Sequence, residues 1–423
     1  MSDIQQIPNE FSSFDTVRGK FLNRTKGDKV IWAIVILLTL MSILVVYSSI
    51  GSLAYKMNKS TESYLFKQIA FIALGVLIIY FAHRVNYTIY SRVATILFLV
   101  SIPLLFYTLK FGSSINDANR WIKLPVINMT FQTSDLAKLA LFMYISKQLS
   151  RKQNVIKNFK KGFLPMIIPV VIICLLIAPA NLSTAVLVGG TALMLMFIGR
   201  VKTRHILLTV GLALIPVISL IVISTSYYDK ENHKTKDLPG ILSVGRMPTW
   251  IKRVQDFMYA DKAEASYQVQ QAKIAIAKGG WFGKGPGKSE QRNFLPHPYS
   301  DFIYAIIIEE YGIIGGAIIM FIYMWFLFRS IRLFQRCPYA FGAFLAVALS
   351  FTLVIQAMVN MAVNVNLFPT TGVTLPLVSM GGSSLWFTCF AIGIILSVAR
   401  NVEQMEGKTV VVEDEEEKDY VAS

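Results

Sequence analysis

Apolar runs of near-membrane length recur from Val30 to Ala399, separated by short polar turns and by three longer segments that break the rhythm. A spanning helix needs about 20 apolar residues, and that ruler gives about ten candidates. They are Val30–Ile50, Leu65–Phe81, Tyr90–Leu109, Ser134–Leu149, Phe163–Ala178, Ser183–Ile198, His205–Ser226, Asp301–Phe328, Tyr339–Ala362 and Ser384–Ala399. The fourth to sixth are short, and a Pro179-Ala180-Asn181-Leu182 turn divides the fifth from the sixth. The pattern predicts an all-α polytopic membrane protein.

Charge gives this map an orientation. Lys and Arg gather in the leading segment (Arg18, Lys20, Arg24, Lys26, Lys29) and in alternate turns after it, while the intervening short turns are poor in both. The positive-inside bias places both termini in the cytoplasm, which requires an even number of spans. The chain divides into a cytoplasmic N-terminal segment (1–29), a transmembrane domain (30–400) and an acidic cytoplasmic tail (401–423). A large extracytoplasmic loop at 227–300 joins the seventh span to the eighth. The run Glu413-Asp414-Glu415-Glu416-Glu417 predicts a solvated, disordered end. No small-residue cleavage site follows the basic leader, so the first apolar run reads as a retained helix.

Composition excludes an ordinary soluble enzyme: 54% of residues are hydrophobic and 16% charged, with mean hydropathy +0.53. The net charge of +16 sits in turns between apolar runs, a topology signal that argues against a nucleic-acid groove. Cys174, Cys337 and Cys389 have no short paired spacing and read as packing residues.

Polar groups inside this pattern carry the candidate chemistry, because an ionisable residue in a span costs roughly 2.5 to 3.5 kcal/mol. Asp135 and Lys138 lie three apart, a spacing at which they meet on one helix face, and read as a structural ion pair. In His297-Pro-Tyr-Ser-Asp301-Phe-Ile-Tyr-Ala-Ile-Ile-Ile-Glu309-Glu310-Tyr-Gly312, the position of Asp301 suits either a helix cap or a group at the outer water boundary. On one continuous helix Glu309 would lie about 12 Å deeper and about 80° around the axis. Glu309 and Glu310 are then expected to find partners within the bundle. Of the long outer segments, Lys110–Thr133, Tyr227–Ser300 and Asn364–Ser383, the second contains Met247–Tyr259. Its helical spacing of apolar and charged residues fits an interfacial helix or a connector packed on the bundle. The third, rich in Pro, Gly and hydroxyls yet apolar, reads as a re-entrant or cavity-lining segment. Its Gly381, Gly382 and Ser383 offer backbone N–H groups to phosphate oxygens, or form a plain turn and cap.

Five motifs in order resemble the SEDS family (shape, elongation, division and sporulation), which includes FtsW and RodA. They are Asn116-Asp-Ala-Asn-Arg120-Trp121-Ile122, Gln132-Thr-Ser-Asp135-Leu-Ala-Lys138, Lys278-Gly-Gly-Trp-Phe-Gly-Lys-Gly285, Ser300-Asp301-Phe-Ile with Glu309-Glu310, and Pro369-Thr-Thr-Gly372 through Ser384. The resemblance implies a peptidoglycan glycosyltransferase that polymerises lipid II at the outer face of the bacterial cytoplasmic (inner) membrane. It implies Asp301 as the catalytic base and functional weight on Trp121, Asp135 and Lys138. Arg120, Lys123, Arg246, Lys284, Lys288 and Arg292 are the candidate cations for the leaving diphosphate, with Ser379 beside the glycines of the last loop. A divalent cation is compatible with the chemistry, although no ligand cluster specifies one. The Pro-Thr-x-Gly form favours the division branch, hence a septal location, a class B penicillin-binding protein transpeptidase as partner and other divisome proteins around it. A RodA-like elongation polymerase and a flippase for the lipid-linked precursor are the alternatives. Departures from the family pattern stand at Asp117, Thr133, Asp135, Asn181 and Met380, and the neutral Asn181 counts against a charged role there.

Overall fold

The computed structural model describes residues 27–51, 60–115, 118–124, 129–229, 234–235, 238–240, 242–243, 245–259 and 267–422. Most of the N-terminal segment, and Asn116 and Asp117 of the first motif, lie outside the described residues.

Ten long helices occupy the ten predicted positions among the described residues. They are α1 (Lys29–Ser49), α2 (Thr61–Arg84), α3 (Tyr87–Phe111), α4 (Thr133–Arg151), α5 (Leu164–Ile177), α6 (Leu182–Ile198), α7 (Thr203–Ser226), and, after two helices of the long loop, α8 (Met247–Met258) and α9 (Tyr267–Gly279), α10 (Ile303–Arg336), α11 (Ala340–Asn364) and α12 (Ser383–Ala422). Eight segments among the described residues are long and apolar enough to cross a membrane; α6 is apolar but shorter, and α4 carries four charged side chains. Helix starts follow capping chemistry. Asp28 accepts from the Val30 and Ile31 amides at the head of α1, Asn86 from Thr88 at α3, and Asn181 from Thr184 at α6. Capping gives Asn181 a task for which a neutral amide suffices.

The core runs through α11, whose buried face extends from Phe341 to Asn364, and through the pairing of α2 with α12, where Gly75 leaves room for Cys389. All three cysteines are free thiols. By contrast α7 keeps only Ile206 and Ser224 buried. The bundle is helical as expected, but the outer loops add strands: β1 (Ser113–Ile115), β2 (Ala118–Leu124) and β3 (Met129–Gln132) form an antiparallel sheet, and β4 (Tyr228–Asp229) pairs with β5 (Lys234–Thr235).

Two expectations need correction. The acidic tail is helical to Ala422 rather than disordered, because Glu and Lys are good helix formers and extending an existing helix carries no nucleation cost. More consequentially, α10 is not one straight span. Gly312 has φ 72° and ψ −178°, which breaks it into two pieces. A methyl placed on Gly316 would meet Ile308 Cγ1 at 2.9 Å and the Tyr304 hydroxyl at 3.0 Å. On a straight helix those residues would lie about 12 and 18 Å away along the axis. The chain therefore folds back, and a short buried half-helix, Ile303 to Tyr311, precedes the membrane-crossing piece.

Backbone groups freed by that break are matched by the glycine-rich motif of the long loop. Ile313 N donates to Gly280 O at 2.9 Å and Ile314 N to Trp281 O at 3.3 Å. In return Lys284 N donates to Glu309 O at 3.0 Å and Gly285 N to Glu310 O at 2.9 Å. An unmatched pair in an apolar setting would be expensive. Gly283 (φ 79°) and Gly312 face each other so closely that a Cβ on either would overlap the other strand's backbone, and both occupy the left-handed region that glycine adopts freely.

Candidate active site

Asp301 is the pivot of the outer end, and it is not a cap. Helix α10 starts after Phe302, which makes no side-chain capping bond. Asp301 instead sits in the turn before it, where Ser300 N donates to His297 O at 3.1 Å and His297 takes a left-handed φ of 58°. Its backbone is clamped from two directions. From the outer end of α11, Asn360 and Asn364 each donate through Nδ2 to Asp301 O at 3.0 Å, and Asn364 Oδ1 accepts from Ala305 N at 3.0 Å. From the last loop, Ser379 Oγ donates to Ser300 O at 2.6 Å and accepts from Leu375 N at 2.8 Å, while Met380 N donates to Tyr299 O at 2.9 Å. Gly372 lies against the carboxylate: a Cβ there would come 3.5 Å from Asp301 Oδ2.

The last loop reaches membrane depth, as its composition predicts. Val378 O accepts from Ser42 Oγ at 2.8 Å, in the middle of α1, and Pro376 O accepts from the Tyr323 hydroxyl in α10. Glu310, in contrast, bonds to Ser48 at the outer end of α1. The depth order expected from one continuous helix is thus reversed: the half-helix runs outward from Asp301 to Glu310.

Three arginines cluster near the carboxylate, and two of them, Arg120 and Arg253, lie within its electrostatic reach. Arg120 on β2 donates from Nε to Ala180 O at 2.8 Å, and Arg246, just before α8, donates from Nη1 to the same oxygen at 2.5 Å. Arg253 on α8 is the third; Arg120 lies within electrostatic reach of Arg246, Arg253 and Asp301 together. Burial, reinforced by the two neighbouring guanidiniums, pushes Arg120 down to about 10, against the pull of Asp301. Arg253 is lowered by burial and Arg246. Burial pushes Asp301 up, opposed by His297, a Ser300 hydrogen bond, Arg120 and Arg253. A carboxyl so placed accepts a proton more readily than a free aspartate.

The other candidates separate from this cluster. Trp121 and Lys123 share β2 with Arg120, Trp121 half-buried and Lys123 exposed. Lys284 pairs with Glu290 at 2.7 Å, and Arg292 donates to Ser48 O at 2.8 Å, so both tie down the long loop. Lys288 is exposed, with its stem against Gly285. Ser383 Oγ accepts from Gln132 N at 3.2 Å and joins β3 to α12, while Gly381 and Gly382 form the turn between, Gly382 at φ 55°. Asp135 and Lys138 meet at 2.8 Å, and Lys138 continues at 3.4 Å to Gln356, which donates to Thr374 O in the last loop. Beside them a cavity opens between α4, α11 and α12.

Glu309 and Glu310 serve the loop rather than the bundle alone. The fully buried Glu309 accepts from Ser289 Oγ at 2.5 Å, Glu290 N at 3.1 Å and Gln291 N at 3.2 Å. Sequence reasoning missed Arg253, Asn360 and Asn364. Arg246 and Arg253 are seven residues apart, two helical turns, a spacing that could have linked them. The asparagines give no such signal within an apolar run. Among the described residues no three His, Cys, Asp or Glu side chains gather as a metal site.

A helical membrane bundle with a clamped aspartate and an arginine cluster under its outer loops is the class of protein these features define. Residues 28–404 match the cell cycle protein family of FtsW, RodA and SpoVE, and the chain belongs to that family. It is 32% identical over 385 residues to the probable peptidoglycan glycosyltransferase FtsW of Geobacter sp. (strain M18), covering 89% of this chain and 98% of that one. Stage V sporulation protein E of Bacillus subtilis (strain 168) is 30% identical over 385 residues, with 89% and 98% covered. Among solved structures, a chain of a peptidoglycan synthase complex superposes with TM-score 0.68 at 23% identity, covering 89% of this chain and 99% of that one. RodA of Thermus thermophilus gives TM-score 0.60 at 22% identity, with 89% and 97% covered.

Proposed function

We propose that this protein is a peptidoglycan glycosyltransferase that polymerises lipid II on the outer face of the bacterial cytoplasmic membrane, with Asp301 as general base. The observation that carries the reading is the placement of one carboxylate. Side chains of α11 and the last loop fix its backbone, Arg120 of β2 and Arg253 of α8 share its field, and Arg246 holds the same carbonyl as Arg120. In the reaction the 4-hydroxyl of one lipid-linked sugar attacks the anomeric carbon of another. Its proton passes to an Asp301 carboxylate oxygen. The bond from that carbon to the diphosphate oxygen breaks, and the departing lipid diphosphate takes the electron pair. Arg120, Arg246 and Arg253 supply fixed positive charge where that negative charge develops. Asp301 serves as proton acceptor, lifted by burial but drawn back by His297, Arg120 and Arg253.

The FtsW-named relatives support a division role, and with it a septal location, a class B penicillin-binding protein transpeptidase as partner and a place among divisome proteins. The peptidoglycan synthase complex that superposes with TM-score 0.68 coordinates polymerization and crosslinking, a division of labour that fits such a pairing. The test is polymerisation of lipid II by the purified protein together with its transpeptidase. Wild type is expected to lengthen glycan chains and Asp301→Asn to fold but leave lipid II unpolymerised; equal polymer yield from the two would remove the assignment.

A further inference from the structure

The cytoplasmic ends of α4 to α7 hold a second, separate charge feature. Nine lysines and arginines lie between Lys147 and Arg204, and the chain has no acidic residue between Asp135 and Asp229. Membrane topology asks for a surplus of cations there, but it does not ask for a concave site. Lys157 from the α4–α5 connection, Phe197 and Arg200 from the end of α6, and Val201, Lys202 and Thr203 leading into α7 line a cavity of about 480 Å3, within the size range of ligand sites. Among the described residues no carboxylate pairs with Lys157, Arg200 or Lys202.

The backbone at this cavity is unusual in the same direction. Helix α6 ends with Val201 N bonded to Met196 O at 3.1 Å and Arg200 N to Phe197 O at 3.0 Å, the pattern that normally puts glycine in the left-handed position. Here Arg200 occupies it at φ 64°, although Gly199 is next door. Across the turn, the positive end of the 24-residue helix α7 opens with no side-chain cap at Lys202. Phe197 of the lining is 60% exposed, and Leu207 and Leu208, early on the helix α7 that leads out of the cavity, are each 65% exposed. Cations beside outward apolar side chains at the inner membrane boundary match a molecule with an anionic phosphate head and acyl tails.

We infer that this cavity binds the headgroup of an anionic phospholipid of the inner leaflet, with Lys157, Arg200 and Lys202 as its phosphate contacts. A free phosphate would share the charge chemistry but leave Phe197, Leu207 and Leu208 without a partner. The test is native mass spectrometry of the full chain titrated with cardiolipin, with phosphatidylcholine and with inorganic phosphate. Cardiolipin is expected to bind saturably, phosphatidylcholine weakly, and inorganic phosphate not to displace the lipid. The triple variant Lys157→Gln, Arg200→Gln, Lys202→Gln is expected to weaken cardiolipin binding about a hundredfold, at about fivefold per cation. A charge-matched variant, Arg92→Gln, Arg332→Gln, Arg336→Gln, is expected to bind as wild type. The outer arginine cluster is intact in both, so any lipid held there does not separate them. Equal loss in the two variants, equal retention of phosphatidylcholine, or full displacement by inorganic phosphate would each overturn the inference. Should the triple variant misfold, Lys157→Gln alone, on an exposed turn, is expected to show the fivefold loss, and wild-type binding by it would overturn the site.

Discussion

Asp301 and Glu309 stand eight residues apart in one stretch of chain and meet opposite environments. Glu309 is fully buried, and its two oxygens are engaged by Ser289, Glu290 and Gln291 of the long loop. Around Asp301 the many fixed bonds go to the backbone, through Asn360, Asn364 and Ser379, while the carboxylate has Ser300 and a field of cations. The difference teaches how to tell a structural acid from one set up to react. A carboxylate saturated with hydrogen bonds is holding structure, whereas one whose main chain is held for it is free to exchange a proton.

The largest expected effect tests the free acid. Asp301→Asn is expected to lower the polymerisation rate by about 10²- to 10⁴-fold, the usual range for losing a general base. Its stability is expected to move the other way. Because burial raises the folded-state value above the ordinary 3.8, the stabilising contribution is full below that value and is lost as pH rises through the raised one. Above the ordinary value, and so at neutral pH, the carboxyl of Asp301 is therefore a burden, and the Asn variant is expected to melt at or above the wild-type temperature. A clear drop in Tm would place Asp301 with Glu309 and break the comparison. The same shift puts the acid limb of the wild-type pH–rate profile above the ordinary carboxylate range, since the base works only when deprotonated.

Next in size is the cation field. Arg253→Gln is expected to cost about 10² in kcat, the scale for removing one fixed charge-stabilising group. It should also move the acid limb of the profile upward, because Arg253 now holds the Asp301 value down. A fall in rate with an unmoved limb would separate Arg253 from Asp301. Glu309→Gln should then lose stability before chemistry. Replacing an acceptor-only carboxylate by an amide leaves one of three donors facing an NH2 group, a loss of about 1.5 to 3 kcal/mol for a bond to a charged partner. Limited proteolysis is expected to cut the loop near Ser289 sooner in this variant, with Tm lowered; polymerisation lost at unchanged Tm would reverse the roles given to the two acids.

How far the sequence alone reaches follows from what sets each feature. Bilayer thickness imposes the apolar runs directly, so the ten helices were legible, as was the re-entrant character of the Phe368–Ser384 stretch. Asp301 stood out because an acid opening an apolar run demands a reason. The break at Gly312 was hidden, since Ile303 to Phe328 is apolar on both sides of it apart from Glu309 and Glu310, and the groups that satisfy it, Gly280 to Gly285, lie some thirty residues earlier. Depth read along an assumed straight helix was reversed for the same reason. Asn360 and Asn364 acquire their task only once α11 is placed against the turn at Asp301, a contact between distant parts of the chain that no local pattern encodes.

The smallest expected effect concerns the exposed rim of the loop that Glu309 anchors. Glu290 pairs with Lys278 at 2.6 Å and with Lys284 at 2.7 Å, and hydrogen bonds from those two ammonium groups hold it down to about 2, from an ordinary value of 4.5. A depressed carboxyl contributes stability above its unfolded value, and that contribution is lost as pH falls through the folded one. The pairs should therefore persist from neutrality to about pH 4.5 and weaken only between there and about pH 2. At the surface such pairs are also screened by salt. Glu290→Gln is accordingly expected to leave Tm nearly unchanged at neutral pH and to remove only a small acid-induced loosening, read by proteolysis of residues 278–292. A loop released as readily by Glu290→Gln as by Glu309→Gln would mean that the rim, not the buried acid, fixes the loop beside Asp301.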